Sequence, residues 1–194
     1  MFLALSLTAF LLVLSMNRET VYLSFAGVAL AASYPFMKRF HHLPQVHLGA
    51  AFGWAVPMVW TAQTGAWPGP LAWLIFIAAV LWATIYDTLY AMADREDDLK
   101  IGLKSTAILF GDADRLIIGV LQVMMMATLF LIGRDAHLGW PYDLSLVVAA
   151  GMFVYQQLLI AYRVPEFCLR AFMNNNGFGF AVFAGVALSY LLRA

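Results

Sequence analysis

The chain has 194 residues, 63% of them hydrophobic and 11% charged, with a mean hydropathy of +0.82. A soluble domain is about half apolar and about a quarter charged, so this composition excludes one and indicates an integral membrane protein. Eleven basic and eleven acidic residues cancel, leaving no electrostatic footprint for nucleic acid, and a single cysteine, Cys168, excludes an intrachain disulfide or a cysteine zinc cluster.

Seven apolar segments follow one another, roughly 2–16, 20–36, 46–62, 71–92, 114–132, 143–162 and 176–192. Most approach the ~17–25 residues that a bilayer core requires, the first two and the last being short. The expected fold is therefore all-α: a polytopic transmembrane helical bundle of about seven helices, one membrane domain over 1–194. The first segment starts at Met1 without a basic lead, and Asn17-Arg18-Glu19 is a poor signal-peptide cleavage site. A membrane helix whose beginning lies outside this chain is the expectation.

Between the second and third segments lies the stretch Pro35 to His47, bounded by Pro35 and Pro44 and expected to be a non-helical connection. Lys38 and Arg39 sit in it, either as positive-inside anchors or as ligands of an anion. His41, His42 and His47 invite a metal site, but no acidic ligand is near them in the loop. Pro57 is expected to kink the third segment.

The fourth segment runs into the densest chemistry of the chain. Five of the eleven acids, Asp87, Asp94, Glu96, Asp97 and Asp98, fall within twelve residues, and Glu19 is the sole acid before them. If the helix continues, a step of ~100° and ~1.5 Å per residue sets Asp94 at about 340° and Asp98 at about 20° from Asp87. The three carboxylates would then share one narrow face over ~16 Å, with Tyr90 close by. Like charges at that spacing repel, and a hard cation bound with phosphate oxygens relieves the repulsion. The bland alternative is a solvated helix end. Asp87 argues against it, because an acid directly behind a long apolar run is a functional-site hypothesis by default.

Lys100 and Lys104 follow, flanking Gly102. They either neutralise the acids as ion pairs or hold the phosphate oxygens of a ligand. No Gly-x-x-x-x-Gly-Lys-Ser/Thr occurs, so a nucleotide P-loop is not supported.

Further along, Met124 to Met126 and Phe130, Phe153, Phe172, Phe178, Phe180 and Phe183 suit either an apolar cavity or ordinary packing. Trp140 and Tyr142 suggest an interfacial anchor. Asn174-Asn175-Asn176-Gly177 reads as a turn, with Gly177 and Gly179 allowing close helix approach.

Lys38, Arg39, Arg95, Lys100, Lys104, Arg115, Arg163 and Arg170 belong to or flank alternate loops, while Arg18, Arg134 and Arg193 lie on the other side. This asymmetry predicts that the loops near 36–45, 93–113 and 163–175, with the acidic run, face the cytoplasm.

The block from Tyr86 to Gly111, with Tyr34 to Arg39, His42 to Gln45, Val154 to Gln157 and Ala171 to Asn176, resembles the UbiA family of membrane prenyltransferases. The resemblance runs from near Met1 to the C-terminus. It implies a helical bundle around a cavity open laterally to lipid, in the bacterial inner membrane. Asp94 and Asp98 match the family's second aspartate-rich motif and would bind Mg2+. The implied substrates are a polyprenyl diphosphate and 4-hydroxybenzoate, joined in ubiquinone biosynthesis, with membrane lipid as surroundings. Arg39 is the implied catalytic arginine; Lys38, Asp87, Tyr90, Lys100 and Lys104 are candidate substrate contacts. The family's first motif, of Asn-Asp-x-x-Asp type, is absent here. The chain thus resembles a member without its first two helices, and it is expected to be inactive alone. Alternatives are a related prenyltransferase with another aromatic acceptor, a non-catalytic membrane remnant, and a cation transporter. A transporter should carry acids on several helices near the midplane, and the other segments are nearly free of them.

Overall fold

The computed structural model describes residues 2–192; Arg193, assigned above to the outer side, lies outside them. The described residues form helices and connecting turns. α1 spans Phe2–Leu14, α2 Arg18–Ser33, α3 Met37–Phe40, α4 Pro44–Gly53, α5 Ala55–Thr64, α6 Pro70–Ala93, α7 Arg95–Lys100, α8 Thr106–Phe110, α9 Asp114–Asp135, α10 Trp140–Leu159 and α11 Pro165–Leu191. Four stretches are long and apolar enough to cross a membrane: Arg18–Phe40, Pro70–Ala93, Thr106–Asp135 and Trp140–Tyr162. The seven expected apolar segments are all helical, with α4 and α5 as two halves of one segment.

That break has the expected cause. Pro57 has no N–H to give Gly53, and α4 ends at Gly53. The N-terminal helices are tied by hydroxyls. Asn17 caps α2 by accepting from Thr20 N at 3.0 Å, and Thr20 Oγ1 meets Thr61 Oγ1 of α5 at 2.8 Å.

α6 is the central post, packed by α4, α9 and α11. Its 24 residues span about 36 Å. α4 approaches it closely because position 49 is glycine: a Cβ there would stand 2.8 Å from Val80 Cα. On the opposite flank Gly179 of α11 lies under the Trp82 ring, where a Cβ would stand 2.7 Å from Cη2. Small residues at helix crossings let dispersion contacts and interhelical hydrogen bonds do the work that water expulsion does in soluble proteins.

Four local expectations are corrected. Asn174 to Gly177 is no turn but lies within the 27-residue α11. The side chains that suggest a turn in water are satisfied inside the bundle: Asn175 Nδ2 donates to Ala171 O at 3.0 Å, its Oδ1 accepts from Trp82 Nε1 at 3.1 Å, and Asn174 Oδ1 accepts from Gln156 Nε2 at 3.1 Å. Tyr142 is no interfacial anchor. It is 1% exposed, with its hydroxyl on Leu129 O at 2.9 Å, whereas Trp140 is exposed. The stretch after Pro35 is partly helical, a 3-10 turn over Tyr34–Phe36 leading into α3, and only 41–43 is irregular. Finally, the acidic run is not one continuous helix, since α6 stops at Ala93 and Asp94 has φ −91° and ψ 1°. Beyond this corner the side chains of α7 are drawn to different partners, Arg95 to Asp114 and Asp98 to Lys38.

Candidate functional site

The acids gather at the end of α6 from which α7 departs. Asp94 sits at the corner, and its carbonyl accepts from Asp97 N at 3.1 Å and Asp98 N at 2.9 Å, starting α7. Asp98, one helical turn further on, is 5% exposed. Asp87 lies one to two turns deeper, within electrostatic range of Lys38, Asp98 and Asp94. Tyr90 interacts with Asp94, and its ring packs edge-on to Phe172 of α11 at 5.3 Å. The corner has therefore kept Asp87, Asp94 and Asp98 together although the helix linking them is bent.

The loop sixty residues earlier closes over this group. Lys38 Nζ stands 3.7 Å from Asp98 Oδ2. Lys104 fastens the same loop: its backbone N–H donates to Lys38 O at 2.9 Å and its Nζ to Phe40 O at 3.1 Å. Arg39, next to Lys38, is exposed and makes no ion pair among the described residues. Lys100 stays apart. Its Nζ donates to Asp97 Oδ1 at 2.8 Å on the exposed side of α7, and this hydrogen bond, with the carboxylate's charge, holds the ammonium above its ordinary range. Lys38, Asp87, Tyr90, Asp94 and Asp98 are thus brought together, Lys104 supports them through backbone contacts, and Lys100 is not part of the group.

The residues fit a hydrated divalent cation in a limited way. Among the described residues no group of three or more His, Cys, Asp or Glu side chains forms a ready metal site. Yet Asp98 Oδ2 is buried and accepts no hydrogen bond, so it has capacity for a cation beyond the distant Lys38 ammonium. Magnesium keeps several waters and is usually held by one or two carboxylates plus substrate phosphates, a demand that Asp94 and Asp98 meet.

Beneath the acids lies a layer not foreseen from the sequence. Asp114, fully buried at the start of α9, receives Arg95 Nη2 and Arg163 Nε, the latter at 3.0 and 3.1 Å to its two oxygens. Arg163 also donates to Asp112 O at 2.7 Å. The clamp joins the α6–α7 corner, the start of α9 and the turn between α10 and α11. Because Arg95 follows Asp94 directly, the clamp holds the chain just beyond the Asp94 corner. Beside it, Gln45 of α4 is fully buried and accepts from Thr106 N at 3.1 Å, while Thr106 Oγ1 meets Thr88 Oγ1 at 2.7 Å. One signal was available: an acid opening an apolar helix suits the helix dipole. The partners, 19 and 49 residues away, leave no local pattern.

The aromatic candidates divide. Phe153 and Phe178 stack at 4.4 Å in the core, and Phe172 packs against Tyr86 and Tyr90. Phe180 and Phe183 are exposed on the outer surface of α11.

A model described as the UbiA prenyltransferase family matches residues 1–184. The chain belongs to the UbiA prenyltransferase family. Similar curated members are the 4-hydroxybenzoate octaprenyltransferases of Alkalilimnicola ehrlichii, 61% identical over 97% of this chain and 64% of that protein, and of Methylococcus capsulatus, 60% identical over 98% and 65%. The chain thus spans just under two thirds of the length of these two relatives. Two solved UbiA-like structures share the fold. A UbiA homologue from Aeropyrum pernix has a TM-score of 0.78 at 23% identity, over 93% of this chain and 68% of the other. A digeranylgeranylglyceryl phosphate synthase has a TM-score of 0.73 at 16% identity, over 93% and 64%.

Proposed function

We propose that this chain supplies the greater part of a magnesium-dependent prenyltransferase that moves a polyprenyl group from its diphosphate to the ring of 4-hydroxybenzoate. The observation that carries the reading is the closure of the Lys38 loop onto Asp98 beside Asp94, which sets a cation donor against a carboxylate pair. The printed activity of the curated relatives supports the choice of substrates.

Asp94 and Asp98 would hold the metal. Bound there, Mg2+ supplies positive charge for the diphosphate as its bond to the allylic carbon breaks. Lys38, beside Asp98, would support the same charge. Arg39, exposed and free of ion pairs beside it, is suited to the benzoate carboxylate or a diphosphate oxygen, where its planar fork gives two parallel hydrogen bonds. Asp87 and Tyr90 orient the pair from the deeper turn. Lys104 acts by holding the loop, and Lys100 is left out of the ligand set. In the substitution the C–O bond to diphosphate breaks, a C–C bond forms ortho to the phenol oxygen, and the ring proton leaves. The membrane would be the bacterial inner membrane, with the acids at its cytoplasmic face.

The test is magnesium-dependent incorporation of radiolabelled 4-hydroxybenzoate into lipid-extractable product. A full-length protein carrying the first aspartate-rich motif should be active, and Asp94→Ala or Asp98→Ala should abolish that activity. The chain as given should form no product at any magnesium concentration. Full activity of the Asp94→Ala, Asp98→Ala double variant would remove the acidic corner from the site.

A further inference from the structure

On the outer face of the bundle, beside the Asp114 clamp, two grooves run between α9 and α10. One of about 750 Å³ is lined by Arg115, Leu116, Val120 and Val123 with Asp112 and Arg163 at its mouth. A second, of about 480 Å³, shares Arg115, Gly119, Val123 and Gln157 with it and continues toward Met126, Val154 and Leu158. Together they form one apolar channel with a charged end.

We propose that this channel seats one anionic glycerophospholipid, its phosphodiester on Arg115 and one acyl chain along α9. Three features argue for that occupant. The first is an uncommitted guanidinium. The Arg115 backbone N–H is held by Asp114 Oδ1 at 2.6 Å, but its guanidinium donates once, from Nη1 to Ala161 O at 3.2 Å; its Nε is buried without an acceptor, and the side chain makes no ion pair among the described residues. Its neighbour Arg163 is already taken by Asp114.

The second feature is charge. Among the lining residues Arg115 and Arg163 stand against Asp112, which leaves a single positive charge at the mouth. That matches one phosphodiester. A diphosphate carries two or three negative charges and calls for a metal with its carboxylates, which the acidic corner offers and this mouth does not.

The third is length. From Arg115 to Met126 α9 rises about 16 Å, close to the ~15 Å of one leaflet's hydrocarbon. The walls are lipid-facing: Leu116 is 71% exposed, Val123 70% and Leu158 69%. A fixed acyl chain covers them, while the absence of a side chain at Gly119 leaves the channel open at its waist.

The test is native mass spectrometry of the full-length protein, released from detergent in an equimolar mixture of phosphatidylglycerol and phosphatidylcholine. Both lipids carry a phosphodiester, but the choline cation of phosphatidylcholine offsets its charge, so retention should favour the net-anionic phosphatidylglycerol by roughly tenfold. Arg115→Gln should abolish the preference, Arg115→Lys should keep most of it, and Arg18→Gln, at the other end of the bundle, should leave it unchanged. Val123→Trp, which fills the channel without touching the charge, should reduce retention of both lipids. An undiminished preference in Arg115→Gln, or unchanged retention in Val123→Trp, overturns the proposal. Displacement of phosphatidylglycerol by farnesyl diphosphate without magnesium reassigns the channel to an isoprenoid and overturns it equally. None of these outcomes depends on prenyl transfer, so the proposed reaction stands or falls separately.

Discussion

Lys38 Nζ lies 3.7 Å from Asp98 Oδ2, so a loop near the start of the chain reaches a carboxylate sixty residues later that is 5% exposed. The pair is nearly dry on the acid's side, and removing the ammonium leaves the carboxylate without its cation. In the full-length protein, Lys38→Met should lower kcat/KM for the prenyl diphosphate at least tenfold, the worth of one charged hydrogen bond. Lys38→Arg should retain more. Steady-state kinetics at saturating magnesium decide it, and unchanged constants in Lys38→Met would reduce the residue to a topology anchor.

Arg39 calls for the opposite comparison. It keeps its charge in Arg39→Lys but loses the planar fork. If it grips a carboxylate or diphosphate, catalytic efficiency should fall roughly tenfold while thermal stability stays put, because no ion pair among the described residues holds the side chain. A shift in melting temperature without a kinetic change would point to a folding role instead.

Asp114→Asn should act on stability first. Arg95 and Arg163 converge on this carboxylate, and breaking a buried charge network costs about 3 kcal/mol or more. The expected result is a clear fall in unfolding midpoint in detergent. The Asp94 side chain should lose order with it, read as weaker Mn2+ binding by electron paramagnetic resonance. An unaltered midpoint would mean that the arginines find other acceptors.

The Trp82–Asn175 hydrogen bond joins α6 to α11 at 3.1 Å. Asn175→Ala strands the indole N–H in a part-buried position and should destabilise the bundle by about 1 kcal/mol, a usual scale for such bonds between membrane helices. Asn175→Asp should keep the acceptor and much of the stability. Equilibrium unfolding with tryptophan emission as the probe separates the two.

Orientation has its own test. In a Cys168→Ser background, Ala66→Cys should label from outside intact cells and Ile101→Cys should not; both positions are exposed. The reverse pattern inverts the assignment of faces.

Hydrophobic runs were the legible part of the sequence. Each of the seven apolar runs falls in helix, though the short α3, α7 and α8 left no such run, and Pro57 announced the break between α4 and α5. The acidic corner was equally visible, since carboxylates crowd behind an apolar helix only at some energetic cost. What escaped was everything set by partners distant in sequence. Asn174 to Gly177 carries turn-forming residues, yet Trp82 and Gln156 satisfy them from other helices, and tertiary context overrode local preference. Tyr142 suggested an interface because an aromatic near a helix start often lies there, but Leu129 O gave its hydroxyl a partner inside. Arg95, Arg115 and Arg163 read alike as positive-inside anchors, although two of them share a buried acid and the third has none.

The clamp on Asp114 also orders events during synthesis. The carboxylate enters the growing chain 49 residues before Arg163. At about 5–20 residues per second, a ribosome needs a few seconds to cover that interval. Through those seconds Arg95 alone faces the acid, and the floor beneath the Asp94 corner is unfinished. It locks when the turn before α11 arrives, so the α10–α11 hairpin completes the support for a corner threaded much earlier. A nascent chain halted within α10 would carry both Asp94 and Asp98 and still lack the arginine that completes the clamp on Asp114.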